Sequence, residues 1–335
     1  MSMLRMRLRR KPRAGNWLAV LAGGLCALLP GAASAQEGYP QRPVKIVVGF
    51  PPGGATDLVS RALAQKFTEH GVGAVVENRA GANGNIGAEF VARAPADGHT
   101  LLYNTSGVIL STALGEKMSY DVLKDLAPIA LVATVPLVLT VHPSVPANTP
   151  AEFIAYVRAN PDKLAYGSSG NGNITHLASV LFLQAHGLTA LHVPYKATAN
   201  LVADATAGRL QFLLQTSVSS LPPVKDKRIR ALAVTSLQRI PLYPDVPTLN
   251  ETVMPKFELG AWSGLMGPAK LPPVLVRRLE GEVAKAMQSA DFRARLAAAG
   301  AEPMGTTASE YGVYLRSELD RFTKVVKIAG IKPGG

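Results

Sequence analysis

Residues Val44-Lys45-Ile46-Val47-Val48-Gly49-Phe50 form an apolar run that ends in Pro51-Pro52-Gly53-Gly54, after which Ala55-Thr56-Asp57 opens an amphipathic stretch. The run reads as a buried strand, the prolines and glycines as a turn, and the amphipathic stretch as the start of a helix. A chain that passes directly from strand to helix is committed to βα units and so to an α/β fold. The same turn leaves backbone N–H groups free at a helix N-terminus, where the partial positive charge of the helix dipole adds to them. It is a seat for an anion.

The rest of the chain repeats this alternation. Strands are expected at 44–50, 74–77, 100–104, 129–133, 137–142, 164–167, 191–193, 210–214 and 231–235, flanked by Gly, Pro, Asn or Asp. Val59, Ala62, Leu63 and Phe67 share one face of the first helix. Thr149-Pro150-Ala151-Glu152 and Thr307-Ala308-Ser309-Glu310 are capping boxes that open two more. Pro273 to Ser289 is a long amphipathic helix. The stretch from Ile240 to Pro255 and the segment His142-Pro143 to Pro146 are linker candidates. Two crossings imply a split domain: the chain leaves one lobe, builds a second and returns.

The N-terminus carries Arg5, Arg7, Arg9, Arg10, Lys11 and Arg13 without an acid, then an apolar Trp17–Leu29 and the small residues Ala33-Ser34-Ala35. The apolar part is too short to span a bilayer. The pattern is an export signal cleaved after Ala35, which predicts a periplasmic protein. A lipoprotein reading of Cys26 and a twin-arginine reading of Arg9-Arg10 both fit the surrounding residues poorly. Cys26 is the only cysteine of the chain, so the mature part has no disulfide and no thiol nucleophile. The net charge of +12 falls to +6 once those six basic residues are removed. The remaining basic residues are scattered without interleaved aromatics, which argues against nucleic acid as a partner.

Three polar, glycine-rich turns stand at strand-to-helix junctions: Phe50–Asp57, Asn78–Gly87 and Gly167–Asn173. Glycine admits close approach of backbone to a ligand, and Ser and Asn add side-chain donors. Gly81, Gly84 and Gly87 have the wrong spacing for a dinucleotide site, and neither a P-loop nor a nucleophile elbow occurs. His176 follows the third turn and reads either as a structural histidine or as a ligand contact. In His192-Val193-Pro194-Tyr195-Lys196, Tyr195 is a candidate donor and Lys196 a candidate carboxylate partner. Trp262 is either core bulk or a cleft wall. No histidine has metal-ligand spacing, and no carboxylate pair stands out as an acid–base couple.

Tyr39-Pro40 through Phe50–Asp57, Val76-Glu77-Asn78-Arg79, Gly84-Asn85-Ile86-Gly87, Ala96-Asp97-Gly98-His99-Thr100, His192–Lys196, Arg230-Ala231-Leu232-Ala233-Val234-Thr235 and Pro244-Asp245-Val246-Pro247-Thr248 occur in an order that resembles the tripartite tricarboxylate transporter substrate-binding family, the Bug or TctC-like receptors. The resemblance covers the whole mature chain. It implies a two-lobed α/β periplasmic-binding-protein fold of the Venus-flytrap type (type II-like) that closes on a small carboxylate, without a cofactor and without catalysis. The expected boundaries are 36–142 plus 256–335 for one lobe and 143–255 for the other. Ligand contacts are expected from Phe50, Pro52, Gly53, Gly54, Ala55, Thr56, Asp57, Asn104, Thr105 and Ser106 in the first lobe and from Ser168, Ser169, Gly170, Asn171, Asn173, His176, Tyr195, Lys196 and Gln215 in the second, with Trp262 on the wall. The implied partners are the permease subunits of a tripartite tricarboxylate transporter, and the receptor itself is expected to be a monomer. A sensor receptor and an exported carboxylate-processing enzyme are the alternatives. This chain departs from the family at Leu210–Thr216, where no acid occurs, at Ala197, and at Ser263, where an aromatic is common. The missing acid predicts a plain mono- or dicarboxylate, aromatic ones included, rather than an amino acid.

Overall fold

The computed structural model describes residues 38–53, 55–195 and 198–331. The expected export signal, Gly54 and Lys196 lie outside the described residues. The segment up to Gln41 is a unit of its own, and every element named below belongs to the second unit, Arg42–Gly335.

The first half runs β1 (Val44–Val48), α1 (Ala55–Glu69), β2 (Ala74–Asn78), α2 (Asn85–Ala92), β3 (Thr100–Thr105), α3 (Gly107–Ala113) and into β4 (Leu126–Val141). The second adds α4 (Pro150–Ala159), β5 (Ala165–Ser168), α5 (Ile174–Ala185), β6 (Leu191–Pro194), α6 (Thr198–Thr206), β7 (Phe212–Thr216), α7 (Ser217–Lys225), β8 (Arg230–Val234) and α8 (Leu249–Thr252). The chain then returns through β9 (Gly260–Pro268), α9 (Pro273–Gln288), α10 (Ala290–Ala298), β10 (Glu302–Pro303) and α11 (Ala308–Ala329).

The strands join in the order β2-β1-β3-β9-β4-β7-β5-β6, with β8 and β10 also pairing β4. β1 lies parallel between β2 and β3, and Val44, Ile46, Val47 and Val48 are wholly buried, as a strand covered on both faces requires. β5 is likewise parallel to β6 and β7. β4 joins the two sets. Leu126–Pro136 pair antiparallel with β9, whereas Leu137–Val141 pair with β7 and β8. The two strands expected on either side of Thr134-Val135-Pro136 are therefore one continuous strand. Proline has no N–H to give to a ladder, and Pro136 stands where the partner changes. Thr235 closes the changeover. Its hydroxyl accepts from Leu137 N at 2.8 Å and donates to the carbonyl of Leu259, beside the returning β9.

The expectation missed β9, whose glycines weaken strand propensity. Packing imposes at least one of them, since a Cβ at Gly264 would lie 2.5 Å from Tyr311 Cζ on α11. The capping box expected at Thr307 is complete. At Thr149 only half forms: the Thr149 hydroxyl takes Glu152 N at 3.2 Å, but the Glu152 carboxylate takes Asn148 N at 2.7 Å. The G-x-x-G-x-x-G turn proves to be a packing device. A Cβ on Gly49 would meet the Gly84 carbonyl oxygen at 2.7 Å, and one on Gly87 would meet Gly49 Cα at 3.2 Å. These glycines let the end of β1 touch the start of α2.

Candidate functional site

The register brings the ends of both parallel sets to one place. In the first half Thr105, the last residue of β3, pairs with Ser263, and Ser263 with Ala133. In the second half Thr216, the last residue of β7, pairs with Leu137. Ala133 and Leu137 are four residues apart on one strand, about 13 Å. The loops that follow the parallel strands of each half thus face one another across the middle of β4, the crevice where ligands of open α/β sheets bind.

In the first half the loop after β1 is fixed by Asp57. This buried carboxylate accepts Gly53 N at 3.0 Å, Asn78 Nδ2 at 2.8 Å and Arg61 Nε at 2.9 Å. Burial pushes its pKa up, but the bonds from Arg61, Gly53 and Asn78 outweigh that and hold the acid below its usual range. Asp57 is therefore a brace of the loop, with its charge already answered. Phe50 lends its carbonyl to Asn78 Nδ2 at 3.0 Å and packs its ring against Gly84. Pro52 and Gly53 are exposed, and Gly53 takes a φ of 87°, which favours glycine. Ala55 and Thr56 begin α1 beside a cavity of about 40 Å3 that Val59, Thr105, Val135, Ala261, Ser263 and Ala301 also line. Thr105 Oγ1 accepts Gly107 N at 3.2 Å, and buried Ser106 gives its N–H to the Trp262 carbonyl at 3.1 Å.

Strand parity divides the remaining first-half candidates. Successive side chains alternate faces, so Asn104 and Trp262 lie opposite to Thr105 and Ser263. Asn104 Oδ1 accepts the Tyr311 hydroxyl at 2.9 Å, and its Nδ2 points at Met266 Sδ at 3.3 Å. Trp262 borders the cavity, but its Nε1 donates to the buried Glu318 at 3.0 Å and its ring meets Tyr311 and Tyr314 edge-on at 6.0 and 5.7 Å. Both side chains brace the site from the α11 side. Sequence reasoning missed Val135, Ala261, Ser263 and Ala301. Alternation about Trp262 would have found 261 and 263 had the segment been read as a strand.

The second-half loop is held by its own hydroxyls and two imidazoles. Ser168, wholly buried, accepts Gly170 N at 3.2 Å and lies 2.7 Å from His192 Nε2. This serine–histidine contact has no open face for a substrate, and no carboxylate orients the ring among the described residues. Gly170 turns with a φ of 118°, Asn171 is half-buried, and Asn173 caps α5 by accepting Thr175 N at 3.2 Å. Gln215 reaches across from β7. Its Oε1 accepts Thr216 N at 2.8 Å, which fixes the amide so that Nε2 donates to Ser169 Oγ at 2.9 Å. With that oxygen already accepting, the Ser169 proton remains available to a ligand. The Tyr195 hydroxyl is bonded to Asp204 on α6 at 2.6 Å, and Arg209 takes the same carboxylate at 2.7 Å. Tyr195 thereby ties α6 to the strand end instead of presenting its hydroxyl to the crevice.

His176 accepts Gly172 N on Nδ1 at 3.1 Å and stacks on His192 at 3.8 Å with 7° between the rings. Burial, and then the neighbouring His192, push its pKa down to about 4 from 6.5. Burial lowers His192 as well. Between those two values the unfolded chain holds a proton that the folded chain refuses. Stability is therefore whole above pH 6.5 and falls as the pH drops toward 4. His176 alone accounts for about 3 kcal/mol of that loss. Urea denaturation at steps from pH 7.5 to 4 is expected to show the decline, with a flatter slope in His176→Asn; equal slopes in both proteins would contradict the assignment.

Among the described residues no group of three or more His, Cys, Asp or Glu is arranged to hold a metal ion, and no helix is long and apolar enough to cross a membrane. Residues 59–331 match the model of the tripartite tricarboxylate transporter family receptor. A protein of Pseudomonas sp. (strain P51), described as the UPF0065 protein in the tcbD-tcbE intergenic region, is 37% identical over 92% of this chain and 93% of its own length. Among solved structures, Rpa4515 of R. palustris with adipate superposes with a TM-score of 0.79 at 35% identity, covering 88% of this chain and 99% of that one. MatC of Rhodopseudomonas palustris with bound malate gives 0.73 at 30% identity, covering 86% and 100%.

Proposed function

The chain belongs to the tripartite tricarboxylate transporter family of receptors, and we propose that it captures a plain dicarboxylate between its two lobes in the periplasm and delivers it, without catalysis, to the permease of such a transporter. The observation that carries this reading is the character of the donors. The cavity at the start of α1 is lined by hydroxyls and apolar groups without a charged side chain. Across the crevice Ser169 has a free proton beside an amide rather than an acid. An oriented helix N-terminus and neutral hydroxyls suit a carboxylate. An ammonium group finds no carboxylate in the first half either, because Asp57 is spent on Arg61, Gly53 and Asn78. The adipate and malate held by the two structural relatives are both dicarboxylates, which supports the same ligand class here.

In this reading Thr56, Thr105 and Ala55 serve one carboxylate and Ser169, Asn171 and Asn173 the other. The lobes, 36–142 plus 256–335 and 143–255 in outline, turn about the partner change at Pro136–Leu137 and about Leu259–Gly260. The ligand shifts a pre-existing balance toward the closed form. Residues 1–35 serve as the export signal, and the mature receptor acts as a monomer.

Isothermal titration of the mature protein with adipate, malate, glutamate and aspartate tests the reading. A plain dicarboxylate is expected to bind at least tenfold more tightly than either amino acid. Tight binding of glutamate or aspartate with no heat from plain carboxylates would refute it.

A further inference from the structure

Ser263 holds a position that no expectation assigned a role beyond the loss of an aromatic. It lies on β9 opposite Thr105 and lines the cavity at the start of α1. Its Oγ is 2.7 Å from the hydroxyl of Tyr103. Either oxygen is able to donate in such a pair, but their surroundings differ. Tyr103 is wholly buried in β3, and among the described residues Ser263 Oγ is the one hydrogen-bond partner its hydroxyl has. A phenol donates one proton, and a buried donor left unmade costs the full desolvation of that group. If Ser263 donated to Tyr103, the phenol proton would be stranded. If Tyr103 donates to Ser263, both groups are satisfied and the serine proton turns elsewhere. Burial holds the phenol pKa above its usual range, so the proton is present across the working pH range.

We propose that Ser263 is a specificity-determining residue of the ligand site: Tyr103 occupies its oxygen and so aims its proton into the cavity beside Thr56 and Thr105, where it donates to a carboxylate oxygen of the solute. The inference rests on the dicarboxylate-receptor reading given above. It gives the first half what Gln215 gives the second, a serine whose oxygen already accepts from a fixed donor. The cavity of about 40 Å3 exceeds the space one water needs, about 10–15 Å3. Tyr103 is a positioning residue in this scheme, since it acts through Ser263 alone.

The experiment is a double-mutant cycle read by titration with adipate. Ser263→Ala is expected to weaken binding about thirtyfold and also to lower the apo melting temperature, because it strands the buried Tyr103 phenol, and Ser263→Thr to recover most of both. Tyr103→Phe is expected to weaken binding about fivefold in the wild-type background and to have no further effect in Ser263→Ala, the coupling that a purely structural tyrosine would not produce. Wild-type affinity in Ser263→Ala, or additive effects of the two changes, would overturn the proposal. Should the wild-type protein bind none of the dicarboxylates, the receptor reading itself falls, an outcome distinct from failure of the serine's role.

Discussion

Asp57→Ala is expected to cost about 3 kcal/mol of folding stability and to weaken dicarboxylate binding about a hundredfold. The buried carboxylate gathers a backbone amide, an asparagine and an arginine that come from the turn, from β2 and from α1. Alanine leaves Gly53 N and Arg61 Nε without an acceptor and opens a hole under the turn. Asn78 keeps its bond to the Phe50 carbonyl, and Arg61 keeps one to Asn78 Oδ1 at 3.0 Å, so the fold survives in weakened form. What is lost is the preset conformation of residues 50–56, which the ligand would then have to order at its own expense. Urea denaturation gives the first quantity and titration with adipate the second. A variant that loses stability yet binds like wild type would show that this loop serves the fold alone.

Gly49→Ala is expected to do as much damage from a buried position outside the candidate contacts. The added methyl would meet the Gly84 carbonyl oxygen at 2.7 Å. Backbone cannot swing aside as a flexible side chain can, so β1 and the start of α2 must part. Overpacking of this kind costs about 3 kcal/mol, and separation of the turn from its support should weaken binding with it. Gly53→Ala is the internal control. Nothing lies within 4 Å of its Cβ, and the penalty comes only from a φ of 87°, about 1 kcal/mol. Denaturation midpoints that rank Gly53→Ala below Gly49→Ala in stability would contradict the packing argument.

The strand-to-helix turns were legible because their signals are local. Pro51 to Gly53 and Gly170 to Asn173 announce turns by composition, and the Thr307 box is written in four consecutive residues. The α/β class follows from the same alternation. What stayed hidden is non-local. Nothing near Asn104 says that β9, more than 150 residues later, will lie beside it and put Tyr311 on its face; sequence therefore pairs Asn104 with Thr105 although they point in opposite directions. Tyr195 looked free because Asp204 sits on the following helix. Gly84 and Gly87 looked like a ligand turn because a glycine that admits an anion and one that admits another backbone leave the same mark on a sequence. Ser263 became visible only once Tyr103 was seen to have nowhere else to donate.

The insertion of β9 between β3 and β4 also bears on synthesis. A ribosome that has made β1 to β4 has made a sheet without its middle strand, and that gap persists until residues 260–268 emerge. The half of the sheet that begins with β1 is thus completed from the far end of the chain. Closure over so long a separation is slow, so β3 and the first part of β4 wait with unpaired edges until the returning strand joins them. The order of synthesis and the order of the sheet are set against each other by one topological choice.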